Sequence, residues 1–118
     1  VEELDGRIGD LLKVLEDEEL EKNTIVIFMS DNGTEPGQRK WGSGEPFRGL
    51  KWSALEGGTR VPCILRFPDL IPAGEVTGKL TTAIDLLPTL AGACGIKLKK
   101  AQTTTRLHLW SSLKRQRS

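Results

Sequence analysis

The stretch that most constrains this chain is Thr24-Ile25-Val26-Ile27-Phe28-Met29-Ser30-Asp31-Asn32-Gly33, an apolar run that stops on an acid and an amide. Six residues without polar alternation, bounded by turn formers, read as a strand buried on both faces. Such strands belong to parallel sheets covered by helices. In open α/β sheets the ligand sits beyond the carboxyl ends of the strands, which puts residues 30–33 at the mouth of a site. Asp31 and Asn32 carry hard oxygens of the kind that calcium or magnesium takes as ligands. Asp-Asn-Gly is also ordinary turn chemistry, because Asn and Gly tolerate positive φ and Asp bonds its own backbone. The residue types alone leave both readings open.

Upstream, Val1, Leu4, Ile8, Leu11, Leu12 and Leu15 recur at three- and four-residue intervals, with Glu2, Glu3, Asp10, Lys13, Glu16 and Asp17 elsewhere on the wheel. The period predicts an amphipathic helix with one buried stripe. Glu21-Lys22-Asn23 turns the chain into the strand. A helix leading at once into a buried strand is half of a βαβ unit whose first strand would lie before Val1. The start, without Met and already inside a helical pattern, reads as a cut chain and not as a secretory signal.

A chain of 118 residues suffices for one modest domain, which buries somewhat under about 70% of its unfolded surface. Its net charge is close to zero but segregated: residues 1–35 hold eleven acids and three bases, the remainder five acids and fourteen bases. Such asymmetry marks tails or pieces of larger proteins. No run of about 18 apolar residues exists to span a membrane. Cys63 and Cys94 stand in no C-x-x-C pair, and each is expected to be a small buried side chain.

From Thr34 to Gly58 the chain is rich in Gly, Pro and charge, with no sustained period. Loops of this length in compact domains are functional or disordered. Arg39, Lys40, Arg48 and Lys51 alternate there with Trp41, Phe47 and Trp52. Cations beside aromatics suit a phosphate, a sulfate or a nucleic acid, and equally form plain surface cation–π pairs. A second strand is predicted within residues 60–67, with Pro62 near its start. Ile71-Pro72-Ala73-Gly74 reads as a turn and residues 76–82 as a short extended piece. Asp85 is placed to cap a helix over 86–93, with Pro88 in the first turn, Gly95 after its end, and Leu86, Leu87, Leu90 and Ile96 as its buried face. From Lys97 onward there are seven bases and no acid, which predicts a solvated, disordered tail.

Two blocks at a definite separation resemble the sulfatase family of the alkaline-phosphatase superfamily. The first runs from Val1-Glu2-Glu3-Leu4-Asp5 and Ile8-Gly9 through residues 23–28 to Ser30-Asp31-Asn32-Gly33. The second is Phe47-Arg48-Gly49-Leu50-Lys51, then Glu56-Gly57-Gly58-Thr59-Arg60-Val61-Pro62, Ile71-Pro72-Ala73-Gly74 and Asp85-Leu86-Leu87-Pro88-Thr89-Leu90. The resemblance covers residues 1–96 and implies an α/β fold, a partial alkaline-phosphatase-like sheet flanked by helices, from the carboxyl side of a sulfatase catalytic domain. Residues 97–118 form a basic tail outside it, for which a shifted reading frame or foreign sequence is the hypothesis.

At matching positions the resemblance implies that Asp31 and Asn32 ligate a divalent cation, calcium with magnesium as the alternative, and that Lys51 contacts the sulfate. Sulfate-ester cleavage gathers negative charge on the sulfur's oxygens, which a cation and a fixed ammonium stabilise where water is excluded. Glu56 and Arg60 match a family motif but read as structural, a partly exposed pair contributing roughly 0–1 kcal/mol. Gly57 and Gly58 are expected to supply backbone freedom, and Thr59 receives no role.

The family's nucleophile, a formylglycine made within C/S-x-P/A-x-R, has no counterpart here: Ile64-Leu65-Arg66 follows Cys63, and Gly95-Ile96-Lys97 follows Cys94. No role passes to His108 in the tail. The expectation is therefore half of a calcium site and one sulfate-contacting lysine in a chain that is inactive alone, the parent reaction being sulfate-ester hydrolysis. The alternatives are a phosphodiester or phosphonate monoester hydrolase of the same superfamily and a noncatalytic interaction fragment. No specific nucleic-acid partner is expected, whereas exposed sheet edges predict a homo-oligomer.

Overall fold

The computed structural model describes residues 1–38 and 42–99 of the chain. Two compact units divide it, Val1–Phe67 and Pro68–Ser118. In the first, helix α1 spans Glu2–Asp17, strand β1 Val26–Met29, the single helical turn α2 Glu56–Thr59 and strand β2 Cys63–Arg66. In the second, helix α3 spans Leu86–Ala93. The basic tail from residue 100, with His108, lies outside the described residues, as do Arg39, Lys40 and Trp41.

Helix α1 forms where the apolar period requires it, with Glu2, Glu3 and Asp5 in the first turn, where acids complement the helix dipole. Its surface carries the i,i+3 pair Arg7–Asp10 at 3.3 Å and the i,i+4 pair Lys13–Asp17 at 2.9 Å. Of the expected buried stripe none is fully buried: Ile8, Leu12 and Leu15 are half-buried, while Val1, Leu4 and Leu11 are exposed. A 3-10 turn at Glu21–Asn23 then leads into β1.

Strand β1 occupies the centre of the apolar run, but its pairing differs from the expected parallel arrangement. Its partner is β2, antiparallel, with Val26 opposite Arg66 and Met29 opposite Cys63. Val26 and Ile27 are half-buried and Phe28 and Met29 exposed, so these residues are not covered on both faces. An unbroken apolar run carries no alternation from which pairing direction can be read. Glu21 clamps the far end of the ribbon, its carboxylate 2.8 Å from the Arg66 guanidinium. Pro62 precedes β2 and contributes its carbonyl, which accepts from the Ser30 N–H at 3.3 Å. This bond continues the ribbon up to the strand-end turn.

In the second unit the turn at residues 71–74 forms, with Gly74 at φ +79. Residues 76–82 are irregular and exposed, not a strand. Helix α3 has the bounds the sequence predicts, but Asp85 acts one turn earlier than expected. Its carboxylate accepts from the Thr82 N–H at 2.8 Å and the Thr82 hydroxyl at 3.1 Å, in a capping box on the 3-10 turn Ala83–Asp85. That turn runs straight into α3, so Thr82 takes the position at which a side chain closes the helix start. The Thr89 hydroxyl bonds back to the Asp85 carbonyl at 2.6 Å. Pro88, Thr89 and Ala91 form the buried face, Leu86 and Leu90 are half-buried, and Leu87 and Ile96 are exposed, unlike the expected all-aliphatic face. The cysteines also depart from expectation, since Cys63 and Cys94 are both free and exposed.

Candidate functional site

Everything that positions the strand-end residues belongs to the first unit. The Ser30 hydroxyl donates to the Asn32 carbonyl at 2.9 Å, closing the turn that follows β1. The chain then meets two loop segments through backbone bonds. Gly33 N–H donates to the Gly58 carbonyl at 2.9 Å, Lys51 N–H to the Thr34 carbonyl at 3.0 Å, and Gly57 N–H to the Arg48 carbonyl at 2.7 Å. Three segments, at 30–34, 48–53 and 55–60, are thereby locked together.

The lock requires glycine for space. A Cβ on Gly33 would run into the Gly57 carbonyl, one on Gly57 into the Gly49 carbonyl, and one on Gly58 into the carbonyls of Ser53 and Leu50. Gly57 and Gly58 lie in α2 and are buried, without positive φ, so close approach and not backbone freedom explains them. Gly49, at φ +91, is the glycine whose conformation matters. Thr59 acquires a structural role, its hydroxyl bonding the Leu55 carbonyl at 3.2 Å. Arg60 and Glu56 form the expected exposed pair at 3.3 Å, and the Arg60 guanidinium also lies 4.4 Å from the Phe47 ring centre.

Within this frame Asp31 is exposed and Asn32 half-buried at the carboxyl end of β1, and Lys51 is bound by its backbone to Thr34, three residues beyond Asp31. The Lys51 ammonium lies within the field of the Asp31 carboxylate, so the first loop and the second present their charged groups to one neighbourhood. The immediate partner of Lys51 is one that sequence reasoning missed: Glu35, with Oε2 2.8 Å from Nζ. Glu35 sits four residues after Asp31 in an aperiodic loop, and nothing in its local pattern announces the pairing. Trp52 completes the group, with Lys51 Nζ 5.0 Å from its ring centre.

These contacts set the protonation states. The hydrogen bond from Lys51 pulls the Glu35 carboxyl below its ordinary 4.5, against a smaller opposing effect of burial, with Trp52 also acting as a hydrogen-bond donor. The Glu35 bond raises the Lys51 ammonium above its ordinary 10.5, again against burial, and Asp31 adds to the rise. A cleft of about 330 Å³ opens beside the turn, lined by Ser30, Asn32, Thr34, Ser43 and Arg60 among others. Its lining includes neither Asp31 nor Lys51, so the paired charges stand outside it.

As metal donors, the Asp31 carboxylate and the Asn32 amide oxygen have the hard character calcium takes, but they amount to two of the six to eight oxygens it gathers. Among the described residues no three His, Cys, Asp or Glu side chains converge on one point. The donor chemistry fits calcium, and the remaining ligands would have to come from elsewhere.

The sulfatase family model matches residues 1–96. The chain belongs to the sulfatase family. Among curated relatives, it is 38% identical to the steryl-sulfatase of Mus musculus over 104 residues, covering 83% of this chain and 17% of that protein. It is likewise 38% identical to the N-acetylgalactosamine-6-sulfatase of Canis lupus familiaris over 98 residues, covering 81% and 19%. The chain thus spans under a fifth of the length of these relatives. In three dimensions it matches the crystal structure of Ps i-CgsB in complex with k-i-k-neocarrahexaose, with a TM-score of 0.80 and 32% identity over 92% of this chain and 24% of that one. Its helices and small antiparallel sheet are accordingly a portion of the sulfatase, alkaline-phosphatase-like α/β fold.

Two outcomes follow from this sulfatase geometry. Gly33→Ala, which drives a methyl group into the Gly57 carbonyl, lowers stability by about 1–3 kcal/mol in thermal unfolding and removes the Gly33–Gly58 bond from amide exchange. The Glu35–Lys51 pair is complete between the ordinary values of its two groups. Glu35's part is lost as pH falls below 4.5 through its lowered folded value, and Lys51's as pH rises above 10.5 through its raised one. Carbon-detected titration of the Glu35 carboxyl gives a midpoint below 4.5, and Lys51→Met returns it toward 4.5.

Proposed function

We propose that this chain contributes one side of a sulfate-ester hydrolysing site, with Asp31 and Asn32 as two ligands of a calcium ion and Lys51 as the ammonium that holds the sulfate. The observation that supports it most is the junction of the two loops: Lys51 is hydrogen-bonded through its backbone to Thr34, three residues past Asp31. The family match and the sulfatase relatives support the same reading. Calcium, when bound, supplies fixed positive charge beside the sulfate oxygens. Lys51, kept protonated by its acidic neighbours across the neutral range, donates to a sulfate oxygen and opposes the charge that accumulates as the ester bond breaks. The glycine-tight backbone holds this donor in place before the reaction, so that little reorganisation is needed.

With no C/S-x-P/A-x-R segment in its sequence, the chain alone carries no formylglycine nucleophile and does not turn over a sulfate ester. Its proposed competence is binding. Calcium titration followed by amide shifts gives weak binding, with a dissociation constant of about 1 mM or above, centred on residues 30–33 and abolished by Asp31→Ala. Sulfate shifts the Lys51 side-chain resonance and fails to bind after Lys51→Ala. Calcium shifts that survive Asp31→Ala, or sulfate shifts that survive Lys51→Ala, refute the assignment.

The exposed Phe28, Met29 and Ile64 on the two-stranded ribbon, with Leu4, Leu11 and Val14 on α1, favour association with further chains. Sedimentation of the isolated chain is accordingly expected to show concentration-dependent self-association. A compact monomer with cooperative thermal unfolding contradicts that part of the reading.

A further inference from the structure

The half-buried Lys51 ammonium is already engaged. Glu35 Oε2 lies 2.8 Å from Nζ, and the Glu35 side chain is the more exposed of the two, at 45% against 29%. The carboxylate therefore belongs to the more accessible member of the pair. Two further contacts surround the pair. The backbone bond from Lys51 N–H to the Thr34 carbonyl holds the residue next to Glu35 against the lysine's own backbone. Trp52 lies beneath the ammonium at 5.0 Å.

Trp52 does this from an unfavourable conformation, φ +74, which is an outlier for a bulky aromatic residue, and its side chain is largely exposed. Burial of the indole does not offset that strain, which leaves its contact with the Lys51 ammonium as the visible compensation. Backbone strain of this kind persists where the surroundings over-determine it and gathers at ligand-binding sites.

We propose that Glu35 is a built-in competitor for the anion at Lys51: its carboxylate occupies the ammonium while the site is empty, and a sulfate group binds by displacing it. This rests on the reading of Lys51 as the sulfate contact and adds to it a residue that sets how tightly, and which, anions are held. A singly charged, exposed carboxylate is a weak occupant, because partly exposed ion pairs contribute little. A dianion or a sulfate monoester fixed by other groups of the site displaces it, whereas a weakly held monovalent anion does not. Asp31, the other acid that faces Lys51, opposes anion binding in the same sense but from within the proposed cation site, where a metal would screen it.

The test uses the full 118-residue chain, with sodium sulfate as the probe and sodium chloride at matched ionic strength as the reference, followed at the Lys51 Cε–Hε resonance assigned through Lys51→Ala. Glu35→Gln tightens sulfate by about fivefold, the factor expected for releasing one exposed ion pair. Glu35→Asp keeps the charge and stays closer to the parent than Glu35→Gln does. A residue that merely braced the loop would show the opposite sign, weaker sulfate binding in every variant, and that result overturns the proposal. Equal sulfate affinity in the parent and Glu35→Gln also overturns it while leaving Lys51 as the sulfate contact. No sulfate response at Lys51 in either protein overturns the sulfate reading itself, and the competitor role with it.

Discussion

The charged end of this molecule depends on how closely three stretches of backbone can approach. The bond from Gly33 N–H to the Gly58 carbonyl, at 2.9 Å, joins the turn after β1 to α2, and the 2.7 Å bond from Gly57 N–H joins α2 to the Arg48 carbonyl. Neither approach tolerates a Cβ at the glycine concerned. Backbone bonds made in this way fix where side chains begin without using any side chain to do so. Asp31, Asn32, Glu35, Lys51 and Trp52 all leave the chain from this frame.

The frame also explains why the ionic contacts here differ in meaning. The Arg60–Glu56 pair spans four residues of one helical turn and is exposed. Lys51–Glu35 spans sixteen positions and links two different loops, beside a strained tryptophan. Both are salt bridges by distance, yet the first follows from local helical spacing and the second from the way the loops are locked. A contact that tertiary structure assembles at the cost of backbone strain is better evidence of use than one that sequence spacing supplies unaided.

Local order was legible in the sequence wherever a period or a punctuating residue carried it. Helix α1, the position of β1, the strand before Phe67, the turn at Gly74 and the bounds of α3 all follow from apolar spacing, glycine and proline. What was not legible depended on partners. An apolar run is the same sequence whether its neighbour runs parallel or antiparallel, so β1 was misjudged in direction and burial. The cysteines and Leu87 were expected inside because their chemistry is apolar, whereas exposure is decided by what packs against them. Asp85 was recognised as a cap, but the 3-10 turn ahead of α3 shifted the cap's partner to Thr82. At the site, Asp31, Asn32 and Lys51 were nameable from motif order, while Glu35 became visible only when two loops met.

The chain's share of the chemistry can be argued from charge alone. An ammonium with two acids nearby is certain to be protonated near neutral pH, but it is also partly neutralised, so as an isolated group it is a poor anion site. A divalent cation at Asp31 and Asn32 would change that balance, because it withdraws Asp31 from Lys51 and adds positive charge of its own. What would then remain against the anion is Glu35, the more exposed member of its pair. Under the proposed assignment, cation and sulfate are coupled through two carboxylates near Lys51, one that the metal would take up and one that the sulfate would displace. That coupling would give the strand-end turn and the lysine loop a joint function that neither has separately, and it is why their fixed approach matters more than the strength of any single contact.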